Sequence, residues 1–141
     1  MPQDFENKIS ICIRKDLPEW QLLNAAAHIA AYFGNQLGDR FGTGNYFVTS
    51  DNVEIPRNTQ YGIAILRGDK KDIRRVMRRA KEAKVQWMGF TQDMVDLLDD
   101  KELQTAIGKR TSGEIEYLGV GLYGSREVLQ DITKGVQAWK Q

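Results

Sequence analysis

Lys8-Ile-Ser-Ile-Cys-Ile-Arg14 is followed at once by Lys15-Asp16-Leu17-Pro18-Glu19-Trp20 and then by the alanine-rich run Asn24-Ala-Ala-Ala-His28. Ile9, Ile11 and Ile13 alternate with the small Ser10 and Cys12, which is the period of a β-strand. The isoleucines face one layer, while the small residues let a second layer pack closely on the other side, so the strand is expected in the middle of a sheet covered on both faces. Asp16 then offers an N-cap acceptor, with Pro18 near the first turn and Glu19 three residues after the cap. The spacing of Leu22, Ala26, Ile29 and Phe33 predicts a helix running to about Leu37, with Gly38 as its stop. Alanines at 25, 26, 27, 30 and 31 shorten much of its surface, so the helix can lie close to the sheet.

Outward from this unit, residues 38–60 have loop composition, and Tyr46–Thr49 and Val53–Ile55 flank Ser50-Asp51-Asn52 as a short hairpin. Tyr61–Leu66 reads as a second buried strand, and Gly68-Asp69 leads into a helix with the stripe Ile73, Val76, Met77, Ala80 and Ala83. Val85–Phe90 is a third strand. Thr91 or Asp93 caps a helical stretch through Leu97 and Leu98, and Gly108–Gly113 reads as a loop. Ile115–Tyr123 is the last strand, with Gly119 and Gly121 suited to backbone packing against a neighbouring element rather than to a phosphate loop. Gly124-Ser125 opens a final helix to about Thr133. Strands alternating with helices predict an α/β fold, a three-layer α/β/α sandwich in one domain over 1–141, with 39–58 as a loop and hairpin insertion.

The composition narrows the function classes. The chain has 141 residues, 20 Lys+Arg against 19 Asp+Glu, and a net charge of +1, which disfavours coating nucleic acid by bulk charge. A chain this long buries enough surface to fold without disulfides or a structural metal. The lone Cys12 excludes an intramolecular disulfide and a cysteine-based zinc cluster. Asp4, Glu6 and Lys8 interrupt any signal-peptide pattern, and no apolar run is long enough to cross a bilayer. A cytoplasmic protein with no cofactor, no metal and no membrane partner is expected.

Ile13-Arg14-Lys15-Asp16-Leu17 before an alanine-rich helix, and Leu118-Gly-Val-Gly-Leu-Tyr-Gly124 with Ile132-Thr-Lys-Gly135, resemble the two ends of the peptidyl-tRNA hydrolase II fold. The closer resemblance is to a sister group on that fold, the "domain of unknown function 2000" family. It is carried by Asp16-Leu-Pro-Glu-Trp20, Asn24-Ala-Ala-Ala-His28, the Gly-rich insertion, Phe90-Thr91 and the 118–124 ending. The resemblance implies a mixed four-stranded sheet whose last strand is antiparallel, and a homodimer. The hydrolases carry Gly-Lys and Ala-Ala-Gln at the start of the first helix, where this chain has Leu22-Leu23 and Ala25-Ala26-Ala27. Leucine supplies neither the charge nor the proton of that lysine. The Asp-x-Gly-Arg-Thr-Gln segment is replaced by Thr91-Gln-Asp-Met-Val95.

The candidate site residues lie on the rim where the parallel strands end, the usual ligand position in such sheets. Thr91 and Asp93 are the candidate catalytic pair; the alternative is that both cap the helix they precede. Lys15, Asp16, Trp20, Asn24 and His28 are candidate ligand contacts. Asp16 is equally a helix cap, Trp20 a cover for the core end, and His28 a surface histidine sharing a face with Asn24. A rim cluster of Asp16, Asn24, Thr91 and Asp93 is expected. Arg74, Arg75 and Arg78 on the strongly basic helix are candidate RNA contacts, or else they pair with acidic side chains within the chain or face solvent. Trp139 packs across a dimer or on its own domain. Three functions follow: a ligand-binding or regulatory module lacking the hydrolase lysine, a hydrolase of peptidyl-tRNA or a related ester or amide, and an RNA-binding accessory protein.

Overall fold

Strand β1 (Asn7–Arg14) lies in the middle of the principal sheet, as its alternation requires. The computed structural model describes residues 3–44 and 46–140, so residues 1, 2, 45 and 141 of the expected 1–141 domain lie outside the described residues. Helix α1 (Glu19–Leu37) follows β1 and ends at Gly38, whose φ of 51° is the left-handed conformation that glycine tolerates best. The hairpin β2 (Tyr46–Val48) and β3 (Glu54–Pro56) forms its own two-stranded sheet within the insertion. Then come β4 (Gly62–Gly68), α2 (Lys70–Ala83), β5 (Gln86–Thr91), α3 (Gln92–Asp96), α4 (Asp100–Gly108), β6 (Tyr117–Ser125), α5 (Arg126–Ile132) and β7 (Gln137–Ala138).

The principal sheet has the order β5-β6-β1-β4-β7. Strands β1 and β4 are parallel, while β6 is antiparallel to both β1 and β5, so β1, β4 and β5 end on one rim. The sheet is mixed, as expected, but it has five strands rather than four. The fifth, β7, is a two-residue strand that pairs antiparallel with Leu66 and Arg67, too short to leave a period in the sequence.

The alternation of β1 sorts the core into two layers. Ile9, Ile11 and Ile13 pack under α1 with Ala25, Ile29, Phe33 and Leu37. On the other face, Cys12, Val120 and Leu122 pack under α2 and α5 with Ile73, Val76, Ala80 and Leu129. Gly121 lies opposite Ile11, and a Cβ there would fall inside the van der Waals envelopes of Ile29 and Phe33. Gly119 and Gly121 of β6 therefore act as packing surface for α1.

Two helix starts differ from the sequence reading. Helix α1 begins at Glu19 with Pro18 at its N-cap and no side-chain cap, because the Asp16 carboxylate is taken by Arg14. The stretch after β5 is two helices: Thr91 caps α3, and Asp99 caps α4 by accepting from the amides of Lys101 and Glu102. Helix α2 starts as read, with Asp69 and Asp72 forming a reciprocal capping box.

Candidate functional site

Arg14 ends β1 on the face shared by Ser10 and Cys12, so its side chain points under α2 instead of into solvent and is only 8% exposed. Its Nε and Nη2 donate to the two carboxylate oxygens of Asp16 at 3.0 and 2.7 Å, a bidentate fork. Its Nη1 donates to Glu116 Oε1 at 2.8 Å, and Lys70 Nζ stands 3.6 Å from the same oxygen. The backbone ties the three strand ends together: the Lys15 amide donates to the Gly68 carbonyl, and the Gln92 amide to the Glu116 carbonyl. An alternating chain of cations and carboxylates thus spans the rim where β1 and β4 send their helices to opposite faces.

Next to this chain, β6 is irregular. Thr91 pairs with Tyr117 and Phe90 with Gly119, so Leu118 is bulged and turns into the α1 core, while Tyr117 turns toward α2. The Tyr117 ring rests on Gly89, where a Cβ would come within 2.6 Å of it. The result is a cleft between α2 and residues 112–117. One cavity of about 180 Å³ is lined by Lys70, Ile73, Arg74, Glu114, Glu116 and Tyr117. A second, of about 320 Å³, shares Arg74 and Tyr117 and extends to Met77, Arg78, Lys81 and Glu82.

The electrostatics of the rim favour fixed charge over proton transfer. The hydrogen bonds from Arg14 hold Asp16 below the usual carboxylate range, against the opposing effect of burial. Arg14 does the same for Glu116, with Lys70 adding to the shift. Arg14 itself is raised, chiefly by its bonds to Asp16. Acid–base pairs need their two groups pushed in opposite directions, whereas both carboxylates here are pushed the same way. Burial raises Tyr117 and pushes the Cys12 thiol up to about 12, which leaves that cysteine inert as a nucleophile.

A family model described as "Protein of unknown function (DUF2000)" matches residues 7–140. The chain belongs to this family. Among solved structures, the protein of unknown function Atu0240 from Agrobacterium tumefaciens strain C58 matches with a TM-score of 0.85 and 20% identity, over 97% of this chain and 100% of that one. That likeness shows a shared fold. None of the curated proteins compared with the chain matches it.

The residues expected to form the site of this DUF2000 chain have separate partners. Asp16 lies on the rim with an exposed carboxylate face, and Lys15 is exposed beside it. Asp93 accepts instead from Arg110 Nη2, and the Thr91 hydroxyl, 3% exposed, is used as the α3 cap. Asn24 sits half-buried on α1, and His28 stacks on Phe90 at 4.8 Å with a 22° tilt. Among the described residues, no hydrogen bond or ion pair links Asn24 to Asp16, Thr91 or Asp93. Trp20 is exposed on the first turn of α1.

On the basic helix, Arg74 donates to the Gly113 carbonyl and Arg75 to Asp72, while Arg78 lines the second cavity. Arg75 thus pairs with an acidic side chain of its own helix, and Arg74 with a backbone carbonyl 39 residues away. Lys70, Glu116 and Tyr117 escape the sequence reading. Glu116 meets Arg14 across 102 residues of chain, and the bulge that aims Tyr117 has no sequence signal.

Leu22 and Leu23 lie near the start of α1. They line an apolar groove of about 380 Å³ between α1 and β4, with Ile13, Ala26, Ile65 and Trp139. Among the described residues lining it, Glu19 is the only charged one. Trp139 docks on its own chain, its amide donating to the Ile65 carbonyl. No described helix is long and apolar enough to cross a membrane.

Proposed function

We propose that this DUF2000 protein is a cytoplasmic ligand-binding or regulatory module on a peptidyl-tRNA hydrolase II-like scaffold, and that its ligand sits in the cleft between α2 and residues 112–117. The observation that carries the reading is the lining of that cleft. Lys70, Arg74, Glu114, Glu116 and Tyr117 line one small space, with Lys70 3.6 Å from Glu116, so it offers two cations, two carboxylates and an aromatic wall. This set suits a small molecule bearing both an anionic and a cationic group, on the scale of an amino acid. The cations and carboxylates orient such a ligand, and the half-buried ring covers its apolar part. Hydrolysis lacks comparable support, because the helix position of the hydrolase lysine opens on apolar side chains, Asp93 is paired to Arg110, and Thr91 is buried as a cap.

RNA binding by α2 is likewise weakened, since several of its cations are engaged within the chain. Arg75 bonds Asp72, Arg79 bonds the carbonyls of Ile132 and Lys134, and Lys81 lies over the Trp87 ring.

The test titrates labelled protein with a panel of amino acids and phosphate monoesters while following amide shifts. Saturable shifts at Lys70, Arg74 and Tyr117 are expected, abolished by Arg74→Ala. Turnover of peptidyl-tRNA that falls in Asp93→Ala would replace the module with a hydrolase. Steeply salt-dependent RNA binding lost in Arg74→Glu/Arg78→Glu would replace it with an RNA-binding protein.

A further inference from the structure

The basic residues of α2 divide by their partners. Arg75 is paired with Asp72, and Arg79 donates to the carbonyls of Ile132 and Lys134. Arg74, Arg78 and Lys81 instead line the second cavity, and among the described residues none of the three has a carboxylate within ion-pair distance. Their spacing of four and then three residues puts them on one stripe of the helix, within about 10 Å along its axis.

Two of these cations are held by contacts that leave donors to spare. Arg74 Nη1 donates to the Gly113 carbonyl at 2.8 Å, which uses one of the five N–H groups of a guanidinium. Lys81 Nζ stands 5.1 Å from the centre of the Trp87 ring, a cation–π contact that places the ammonium without giving it an oxygen acceptor. A phosphoryl group suits such a set, since it brings three acceptor oxygens and a charge of about −1.5 to −2 at neutral pH. Ser112 adds a hydroxyl to the cavity and the buried Met77 adds apolar surface, while Glu82 is the one opposing charge among its described liners.

The second cavity continues the first, because Arg74 and Tyr117 line both. The carboxylates of the first are only half engaged. Glu116 Oε1 accepts from Arg14, and Glu114 Oε1 from the Thr111 amide and hydroxyl, whereas neither Oε2 accepts a hydrogen bond from any described residue.

Given the ligand cleft proposed above, we propose that its ligand is an amine-bearing phosphate monoester with a flat apolar middle, the ammonium in the first cavity and the phosphoryl group in the second. The ammonium donates to Glu114 and Glu116, the middle lies along Tyr117 and Met77, and the phosphoryl oxygens accept from Arg74, Arg78 and Lys81. A free small molecule suits this path better than a nucleic-acid strand. One ammonium is attracted by the two carboxylates, while a run of phosphates would have to pass Glu82, Glu114 and Glu116.

The experiment titrates the full chain with O-phospho-L-tyrosine and with its two halves, L-phenylalanine and phenyl phosphate, following amide shifts and calorimetric affinity. Phosphotyrosine is expected to bind about tenfold or more tighter than either half, with shifts at both Lys70 and Arg78. Arg78→Glu, a substitution at an exposed position, is expected to bring phosphotyrosine to within about twofold of phenylalanine and to leave phenylalanine's own affinity unchanged. Phenylalanine binding with phosphotyrosine no tighter overturns the phosphoryl assignment and leaves the cleft reading standing. Absence of shifts at Lys70 and Tyr117 with all three probes overturns both. A single-stranded oligouridylate that binds more tightly than phosphotyrosine, with an affinity lost in Arg78→Glu and steeply weakened by salt, gives these cations to RNA and overturns the proposal.

Discussion

The two faces of the sheet are covered unequally, by α1 with Met94 and Val95 of the short α3 on one side and by α2 with α5 on the other. Over β1 and β6, α1 reaches the backbone because Gly121 and the alanines remove side-chain bulk, and Ile29 and Phe33 are fully buried there. Over β4 the same helix leaves Leu23 exposed beside Ile65 and Trp139. On the two-helix face Val76, Ala80, Val120 and Leu129 are fully buried. Coverage is a matter of widths. One helix spans two or three strands, and a face given one long helix must find another cover for its remainder.

The largest expected effect tests the closed flank of α1. Phe33→Ala deletes a fully buried ring and is expected to cost about 3–5 kcal/mol, read from denaturant unfolding. Gly121→Val places two methyls where Ile29 and Phe33 already sit, and a loss of about 3 kcal/mol is expected. A Gly121→Val chain with parental stability would mean that α1 is free to lift from the sheet, and the contrast between its flanks would vanish.

The third effect lies on the two-helix face, at the rim. Arg14→Leu is expected to cost about 1–2 kcal/mol at neutral pH, below the full value of charged hydrogen bonds because both carboxylate partners are partly exposed. Its pH dependence sharpens the assignment. Arg14 lowers the folded-state pKa of Asp16 and Glu116, so their contribution is present above the ordinary carboxylate pKa and is lost as pH falls through the lowered values. The parent should therefore lose stability on acidification below about pH 4, and the variant should lose less over the same interval. Identical pH profiles would deny Arg14 this role.

The smallest effect tests the open flank. Leu23→Ala, on the same helix as Phe33, is expected to change the stability of the isolated chain by no more than about 0.5 kcal/mol. A cost near that of Phe33→Ala in a monomer would show that α1 is buried on both sides.

Much of this architecture could be read from local pattern. The central position of β1, the Gly38 stop, the Asp69 start of α2, the hairpin at 46–56 and the packing role of Gly121 all follow from residues within a few positions of one another. The α4 helix was hidden because its apolar residues are few, and β7 because two residues carry no period. Asp16 has the sequence of a helix cap, yet a bidentate guanidinium two residues away is the stronger partner, and the cap gave way to it.

The candidate site was less legible than the fold. Its rim and the basic helix were anticipated, but the partners were not, since Arg14 and Glu116 are joined only through the sheet. Periodicity is local, so the order of hydrophobic and polar residues alone fixes which segments become strands and helices and which sides they bury. Charge pairing and coverage are not local. Whether a carboxylate meets a cation, or an apolar face meets a neighbour, depends on distances that exist only once the strands have taken their places. For that reason the tertiary structure alone decided the cleft beside Tyr117 and the open flank of α1 over β4.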